Sequence, residues 1–212
     1  MAPAQPSCSR TVHAVGSTDR SETPRTEQSE LVGLTRLPWS LRVRGETLTV
    51  RPSSARDIAA VAQMNHRCSA RSLLDRYHSG GRPPTVAALD WALRNPQSFV
   101  AVRPNGAVVG HVATHRDPAH GNLCAEVELL VEDRWQHLGV GTELMTHIAG
   151  VAQVSGYTEL IAYPATAVPA AQRLMIEVGR TRMVPDVRAH LHTYLPDGAA
   201  LGLGTVRERL AG

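Results

Sequence analysis

The sequence predicts a mixed α/β domain. Three observations lead there: short runs of β-branched residues, apolar stripes at helical spacing, and a chain order in which a hairpin meander feeds a strand–helix–strand unit. The chain has 212 residues, the length of one domain or of one domain with a tail. A domain of ~150 residues buries roughly 70% of its unfolded surface, so a normal core is available.

Residues 1–40 are rich in Pro, Ser, Thr and charge and show no apolar period. A disordered tail is expected there, with the less polar residues 31–39 as a tether. The domain is placed at residues 41–196, and a loose Gly- and Ala-rich tail at 197–212. Residues 46–51 (ETLTVR) alternate and read as a strand, stopped by Pro52. Ser53 or Ser54 then caps a helix with Asp57 in its first turn, and Ile58, Val61, Ala62 and Met64 form its apolar face. A second helix is expected over residues 69–78, ending at Gly80 and Gly81, and a third over 85–94. Residues 98–103 and 107–114 read as strands around Pro104-Asn105-Gly106, a hairpin turn signal. Residues 123–131 (LCAEVELLV) form another strand. The helix over 140–155 carries Leu144, Met145, Ile148, Val151 and Ala152 at helical spacing, and Gly156 closes it. A strand follows at 159–163. Pro169 then sits in the first turn of a helix, where its missing N–H costs nothing. Ala171, Leu174, Met175 and Val178 stripe that helix up to Gly179, and a last strand covers 188–195.

Composition excludes several classes. The chain contains no lysine: all 22 basic side chains are Arg, against 19 acidic ones, for a net charge of +3. The Arg-for-Lys usage reads as the imprint of a GC-rich genome. The excess is too small to argue for nucleic acid without a basic stripe, and none is found. No apolar run approaches the ~18 residues of a membrane span, and the start lacks the apolar segment of a secretory signal. Cys8, Cys68 and Cys124 are odd in number and widely spaced, so no disulfide framework is expected and a reducing cytosol is the natural setting. His111, His115 and His120 share one segment, and His190 and His192 one strand face. Their spacings match no standard metal site, and no metal is expected. No Ser-His-Asp or Cys-His arrangement is legible.

The chemistry concentrates between Cys124 and Ser155. Gln136-His137-Leu138-Gly139-Val140-Gly141 turns directly from a strand into a helix. The N–H groups of a first helical turn lack intrahelical partners and, with the helix dipole, make an anion site suited to phosphate. The spacing is neither a dinucleotide fingerprint nor a P-loop. Taken alone, the turn is either a pyrophosphate site or a tight strand–helix connection. On the preceding strand Val127, Leu129 and Val131 share one face, and Glu126, Glu128 and Leu130 the other. Two carboxylates on a partly covered strand need water, a partner or a purpose. Taking a proton from an ammonium is one such purpose.

Gln136, Gly139 and Gly141 match the Arg/Gln-x-x-Gly-x-Gly/Ala signature of the GNAT superfamily of acyl-CoA-dependent N-acyltransferases, and the chain resembles that superfamily over about residues 47–195. Residues 124–142 (CAEVELLVEDRWQHLGVGT) are most similar to bacterial protein lysine acetyltransferases of the Pat type. The resemblance implies a mixed, mostly antiparallel sheet with a splayed parallel strand pair and flanking helices. It implies acetyl-CoA, or another short acyl-CoA, as co-substrate. Its pyrophosphate would lie on the amides of His137, Leu138, Gly139, Val140, Gly141 and Thr142 beside Gln136, and its pantetheine along Leu129, Leu130 and Val131. Glu126 would be the general base, with Glu128 as substitute or as a contact for the substrate cation. The acceptor would be an amine, a protein lysine or a small molecule, bordered by the helix at 69–78. Arg134 and Arg173 would flank the CoA cleft. A homodimer is compatible with the sequence.

Departures from the pattern accompany these matches. Met175 stands where many relatives carry a Tyr that protonates the leaving thiolate, Val168 stands near the place of a common Asn, and Arg180 replaces a common Phe. Tyr163 and Tyr157 are the alternative proton donors. These changes motivate a second reading, a non-catalytic acyl-CoA-binding regulatory module. A third is a protein-interaction domain with no nucleotide site.

Overall fold

The computed structural model describes residues 38–78, 81–166, 168–185 and 188–196. Strand β1 (Trp39–Val43) pairs antiparallel with β2 (Glu46–Pro52). Three helices follow: α1 (Ile58–Arg67), α2 (Ala70–Tyr77) and α3 (Val86–Leu93). Next come β3 (Ser98–Val102), β4 (Val108–Arg116) and β5 (Cys124–Val131). The chain ends through α4 (Val140–Val154), β6 (Glu159–Ala162), α5 (Val168–Val178), β7 (Arg180–Val184) and β8 (His190–Tyr194).

The eight strands form one sheet in the order β1-β2-β3-β4-β5-β6-β8-β7. Every neighbouring pair is antiparallel except β5 and β6. That parallel ladder is short: Cys124 pairs with Glu159, Ala125 with Leu160 and Glu126 with Ile161. Beyond Glu126 the two strands part, while β5 stays paired with β4 as far as Val131. The expected α/β fold with one splayed parallel pair is therefore present.

The alternation of each strand divides the core. Phe99, Ala101, Val109, Val127 and Val131 pack with Leu144, Ile148 and Ala152 of α4 and Met175 and Val178 of α5. Val100, Val108 and Leu130 face the other way, against Val61 and Met64 of α1, Leu73 of α2 and Leu89 and Leu93 of α3. Leu144 and Ile148 are fully buried, and each contributes about 1.5–3 kcal/mol by leaving water. Local signals set the helix starts. The Ser54 amide donates to Asp57 at 2.9 Å, and the Ser69 and Thr85 hydroxyls accept from the amides of Ser72 and Ala88, both at 3.3 Å.

Two strands lie outside the sequence expectation. β1 begins at Trp39, inside the stretch assigned to the tail, and closes on β2 through Arg44 and Gly45, both at positive φ. β7 is an edge strand whose side chains are exposed or half-buried, so it carries no apolar alternation to read. The rest of the expected tails, residues 1–37 and 197–212, lies outside the described residues. Among the described residues no helix is long and apolar enough to cross a membrane.

Candidate active site

The parting of β5 from β6 opens a cavity of about 890 Å³, walled by β5 from Glu126 to Val131, the start of α4, one side of α5, and α2. Sites for small ligands and cofactors span about 300–1,000 Å³. One end of the cavity is built by the turn into α4. Gly139 caps the helix at φ +86°, and His137 sits at φ +58°. A side chain in this left-handed region costs roughly 1–2 kcal/mol, which glycine avoids. With the chain turned this way, no backbone N–H from His137 to Thr142 donates to a backbone carbonyl among the described residues. The first to do so is Glu143, to Gly139 at 3.0 Å. A Cβ on Gly141 would lie 3.7 Å from both Leu129 and Leu174, so the α4 backbone itself forms the cleft floor. Bare N–H groups beside an open, glycine-floored cleft suit a phosphate-bearing chain.

Not all six residues of the turn present side chains. His137, Gly139, Gly141 and Thr142 line the cavity. Val140 is fully buried and Leu138 packs on the core, so these two offer only backbone. Leu129, Leu130 and Val131 line the cavity from β5, with the Leu130 side chain packed toward α1 and α3. The Gln136 amide donates to the Val131 carbonyl at 2.9 Å and to the Ser72 hydroxyl at 3.2 Å, bracing the turn. The same turn is tied to the early helices. Asp133 accepts from the Ser69 amide and the Ser72 hydroxyl, and Arg67 donates to Glu132 at 2.8 Å.

The two carboxylates of β5 share a face, as the alternation requires, but have opposite surroundings. Arg76, its side chain only 4% exposed, donates to Glu128 at 2.7 Å, and the His115 ring meets the same oxygen at 3.1 Å. Burial disfavours the Glu128 charge, but His115 and Arg76 outweigh it and hold the carboxyl down at about 2. Glu128 therefore stays ionised and is a poor proton acceptor near neutrality. Glu126 sits at the last rung of the parallel ladder and, among the described residues, takes no side-chain hydrogen bond. Half-burial and then the neighbouring Glu128 charge push its pKa up. A raised carboxyl facing the fork suits a general base.

The remaining candidates divide as follows. Met175 is fully buried and lines the cavity without a proton to give. Tyr163 lines the cavity, and its hydroxyl donates to Asp117 at 3.1 Å. Burial and Asp117 raise that phenol to about 12, so it stays protonated. Tyr157 packs on the core at the opposite end of β6. Arg173 lines the cavity, whereas Arg134 lies 3.4 Å from Glu132. Burial foremost holds the Cys68 and Cys124 thiols protonated, both up at about 12, which removes them as nucleophiles. His111 is fully buried, with Nε2 at 2.9 Å from the Ser98 hydroxyl, and is a core histidine. The Arg76–Glu128–His115 clamp and the Asp117–His120–Tyr163 cluster escaped the sequence reading. Register could have placed His115 opposite Glu126, but no local pattern marks Arg76.

Comparison with known proteins agrees with this geometry. The GNAT domain of PAT from S. lividans superposes with a TM-score of 0.66 at 22% identity, covering 74% of this chain and 97% of that one. A phosphinothricin acetyltransferase from Sinorhizobium meliloti in complex with acetyl-CoA gives 0.56 at 20% identity, over 72% and 91%. The cAMP-binding acyltransferase from Mycobacterium smegmatis gives 0.55 at 18% identity, over 90% of this chain and 60% of that one. At these identities the likeness establishes the fold. A search of curated proteins gives no match to the sequence. The profile of the acetyltransferase (GNAT) family matches residues 67–179, which span α2 to α5 and the whole cavity. The chain belongs to the acetyltransferase (GNAT) family.

Proposed function

We propose that this protein transfers an acetyl or other short acyl group from acyl-CoA to a primary amine, by direct attack, with Glu126 as general base. The acceptor is a protein lysine or a small amine. The reading rests on Glu126, an unclamped, half-buried carboxylate at the branch point of the fork with a raised pKa. The bare amides of the turn fit a pyrophosphate, and Gly141, which lines the cleft without a side chain, suits the approach of its pantetheine arm. His137 to Thr142 would hold the former, and the free edge of β5 from Leu129 to Val131 the latter. Acyl-CoA, when bound, supplies an activated thioester.

The chain's own residues do the rest. An amine arrives as an ammonium and must shed a proton before it can attack. Glu126 takes that proton at its carboxylate, directly or through one water. Glu128, kept ionised by Arg76 and His115, holds a negative charge beside Glu126 and makes it a better acceptor. Met175 gives no proton to the leaving group, and a CoA thiolate leaves fairly well without one. A cytosolic setting fits the free thiols of Cys68 and Cys124.

Calorimetry with acetyl-CoA and a CoA-release assay against an amine panel test the reading. Glu126→Gln should bind acetyl-CoA as wild type does and lose about 10²–10⁴-fold in kcat. The acid limb of the wild-type kcat/KM profile should lie above the ordinary carboxylate value of 4.5. An active Glu126→Gln variant sinks the base assignment. Acetyl-CoA binding without CoA release from any amine makes the chain a binding module instead.

A further inference from the structure

Cys124, Glu159 and His192 stand far apart in the chain and together in the fold. Cys124 opens β5 and Glu159 opens β6, and the two are register partners in the parallel ladder. His192 lies on β8 opposite Ile161, two residues along β6 from Glu159. The pleat therefore puts all three side chains on one face. One donor atom from each lies within 4.8 Å of the other two.

Two of the three are withdrawn from water: Cys124 is 1% and His192 8% exposed. Glu159, more open, meets His192 Nε2 at 2.7 Å. The His192 ring stacks on Tyr194 at 4.8 Å and 14°, which fixes its aim. A thiol, an imidazole and a carboxylate make a borderline-soft donor set of the kind Zn²⁺ takes. Acyl transfer with Glu126 as base uses none of these groups.

We propose that Cys124, Glu159 and His192 form a binding site for a divalent transition-metal ion, Zn²⁺ foremost, that clasps the closed end of the fork between β5 and β6. Position gives the ion its role. The parallel ladder holds only three residue pairs, and Cys124–Glu159 is the one farthest from the opening. An ion there ties β5, β6 and β8 together at the base of the cleft. Binding balances simply. The Cys124 proton leaves to solvent as the Sγ–metal bond forms. His192 presents its Nε2 lone pair, its ring proton moving to Nδ1. The ion sheds water from three positions and keeps it in the fourth, as three-ligand zinc sites do.

The test uses the full-length chain, free of any affinity tag, loaded with Zn²⁺ or Co²⁺ and then desalted. Elemental analysis should find one ion per chain, and the Co²⁺ form should show thiolate-to-metal charge-transfer absorption. Cys124→Ser and His192→Ala should each weaken Zn²⁺ binding at least tenfold. Cys124→Ser should abolish the absorption band, and Cys68→Ser should keep it. A Cys8→Ser/Cys68→Ser chain keeps Cys124 as its one thiol, and its Co²⁺ band decides the matter even where Cys124→Ser fails to fold; loss of the band there overturns the proposal. A wild type that retains no ion overturns the proposal. So does a Cys124→Ser chain that holds Zn²⁺ unchanged, since the ion then sits on histidines elsewhere.

Discussion

Replacing Gly141 with Ala separates the cleft from the fold. Gly141 is the second residue of α4, in helical conformation. Its new Cβ would lie 3.7 Å from Leu129 Cδ2 and from Leu174 Cδ2, an ordinary contact distance. Ala in place of Gly in a helix stabilises by roughly 0.5–1 kcal/mol, with the lower end suited to a first turn. Partial burial of one methyl against two leucines adds up to about 0.8 kcal/mol. The expected gain of about 1 kcal/mol raises the Tm of a domain this size by about 2–4 °C. The same methyl stands on the floor of the cleft. A ligand lying against the α4 backbone must move or overpack, at about 1–3 kcal/mol. Acetyl-CoA should therefore bind roughly 5- to 150-fold more weakly. Thermal melts and calorimetric titration read the two effects separately. A stabilised variant with unchanged affinity would refute the assignment of this turn to the ligand. A destabilised one would refute the packing argument.

Gly179→Ala should do the reverse. Its Cβ would fall 2.3 Å from the Tyr194 carbonyl oxygen and 2.8 Å from Thr193 Cγ2, so β8 must shift. Urea melts should show a loss of about 1–3 kcal/mol. Burial, with Arg76 next, lowers His111 from 6.5 to about 3. The unfolded chain therefore takes this proton first: the contribution is complete above pH 6.5 and is lost as pH falls toward 3, with a slope of about 1.4 kcal/mol per pH unit. His111→Asn should flatten that part of the stability–pH curve, and an unchanged slope would exonerate the residue. The Glu128 clamp has the same sign at lower pH, complete above 4.5 and lost as pH falls toward about 2. Glu128→Gln should cost about 3 kcal/mol at neutral pH in urea melts, because it strands Arg76, and a neutral result would show that water already serves that guanidinium.

What the sequence made legible was local. The stripe from Leu144 to Ala152 reads as α4 because every member lies on the buried face. Ser69 and Thr85 mark helix starts because their hydroxyls cap the next turn, and Gly139 marks the turn because only φ matters there. The alternation Val127, Leu129, Val131 against Glu126, Glu128, Leu130 assigns faces correctly, since the pleat has a period of two. β7 stayed hidden for the converse reason: an edge strand reading RTRMV buries too little to leave a pattern. β1 alternates Trp39, Leu41 and Val43 with Ser40 and Arg42, but it is five residues long and follows Pro38 and a polar stretch, so its start reads as tail. The fates of the two carboxylates were illegible because their partners arrive from afar. Arg76 comes from α2, which no spacing marks, and His115 from β4, which only the β4–β5 register brings to this face. The Cys124–Glu159–His192 group is likewise a product of strand order.

The missing lysine bears on this site through Arg76. Two like charges on one strand face push each other's proton affinity upward, and which one yields depends on where the cation sits. Here the cation is on α2 and touches Glu128, so Glu128 keeps its charge and Glu126 is the group whose proton affinity rises. A buried lysine in that place could discharge by losing its proton, and the pair would lose its asymmetry. A guanidinium stays charged even when nearly excluded from water, and its planar fork suits a carboxylate. In a chain whose every cationic side chain besides histidine is Arg, the Arg76 half of the clamp cannot switch off near neutral pH. Burial raises Glu126 first, and the Glu128 charge that adds to it is held in place by a helix, SARSLLDRYH, that carries no catalytic signature of its own.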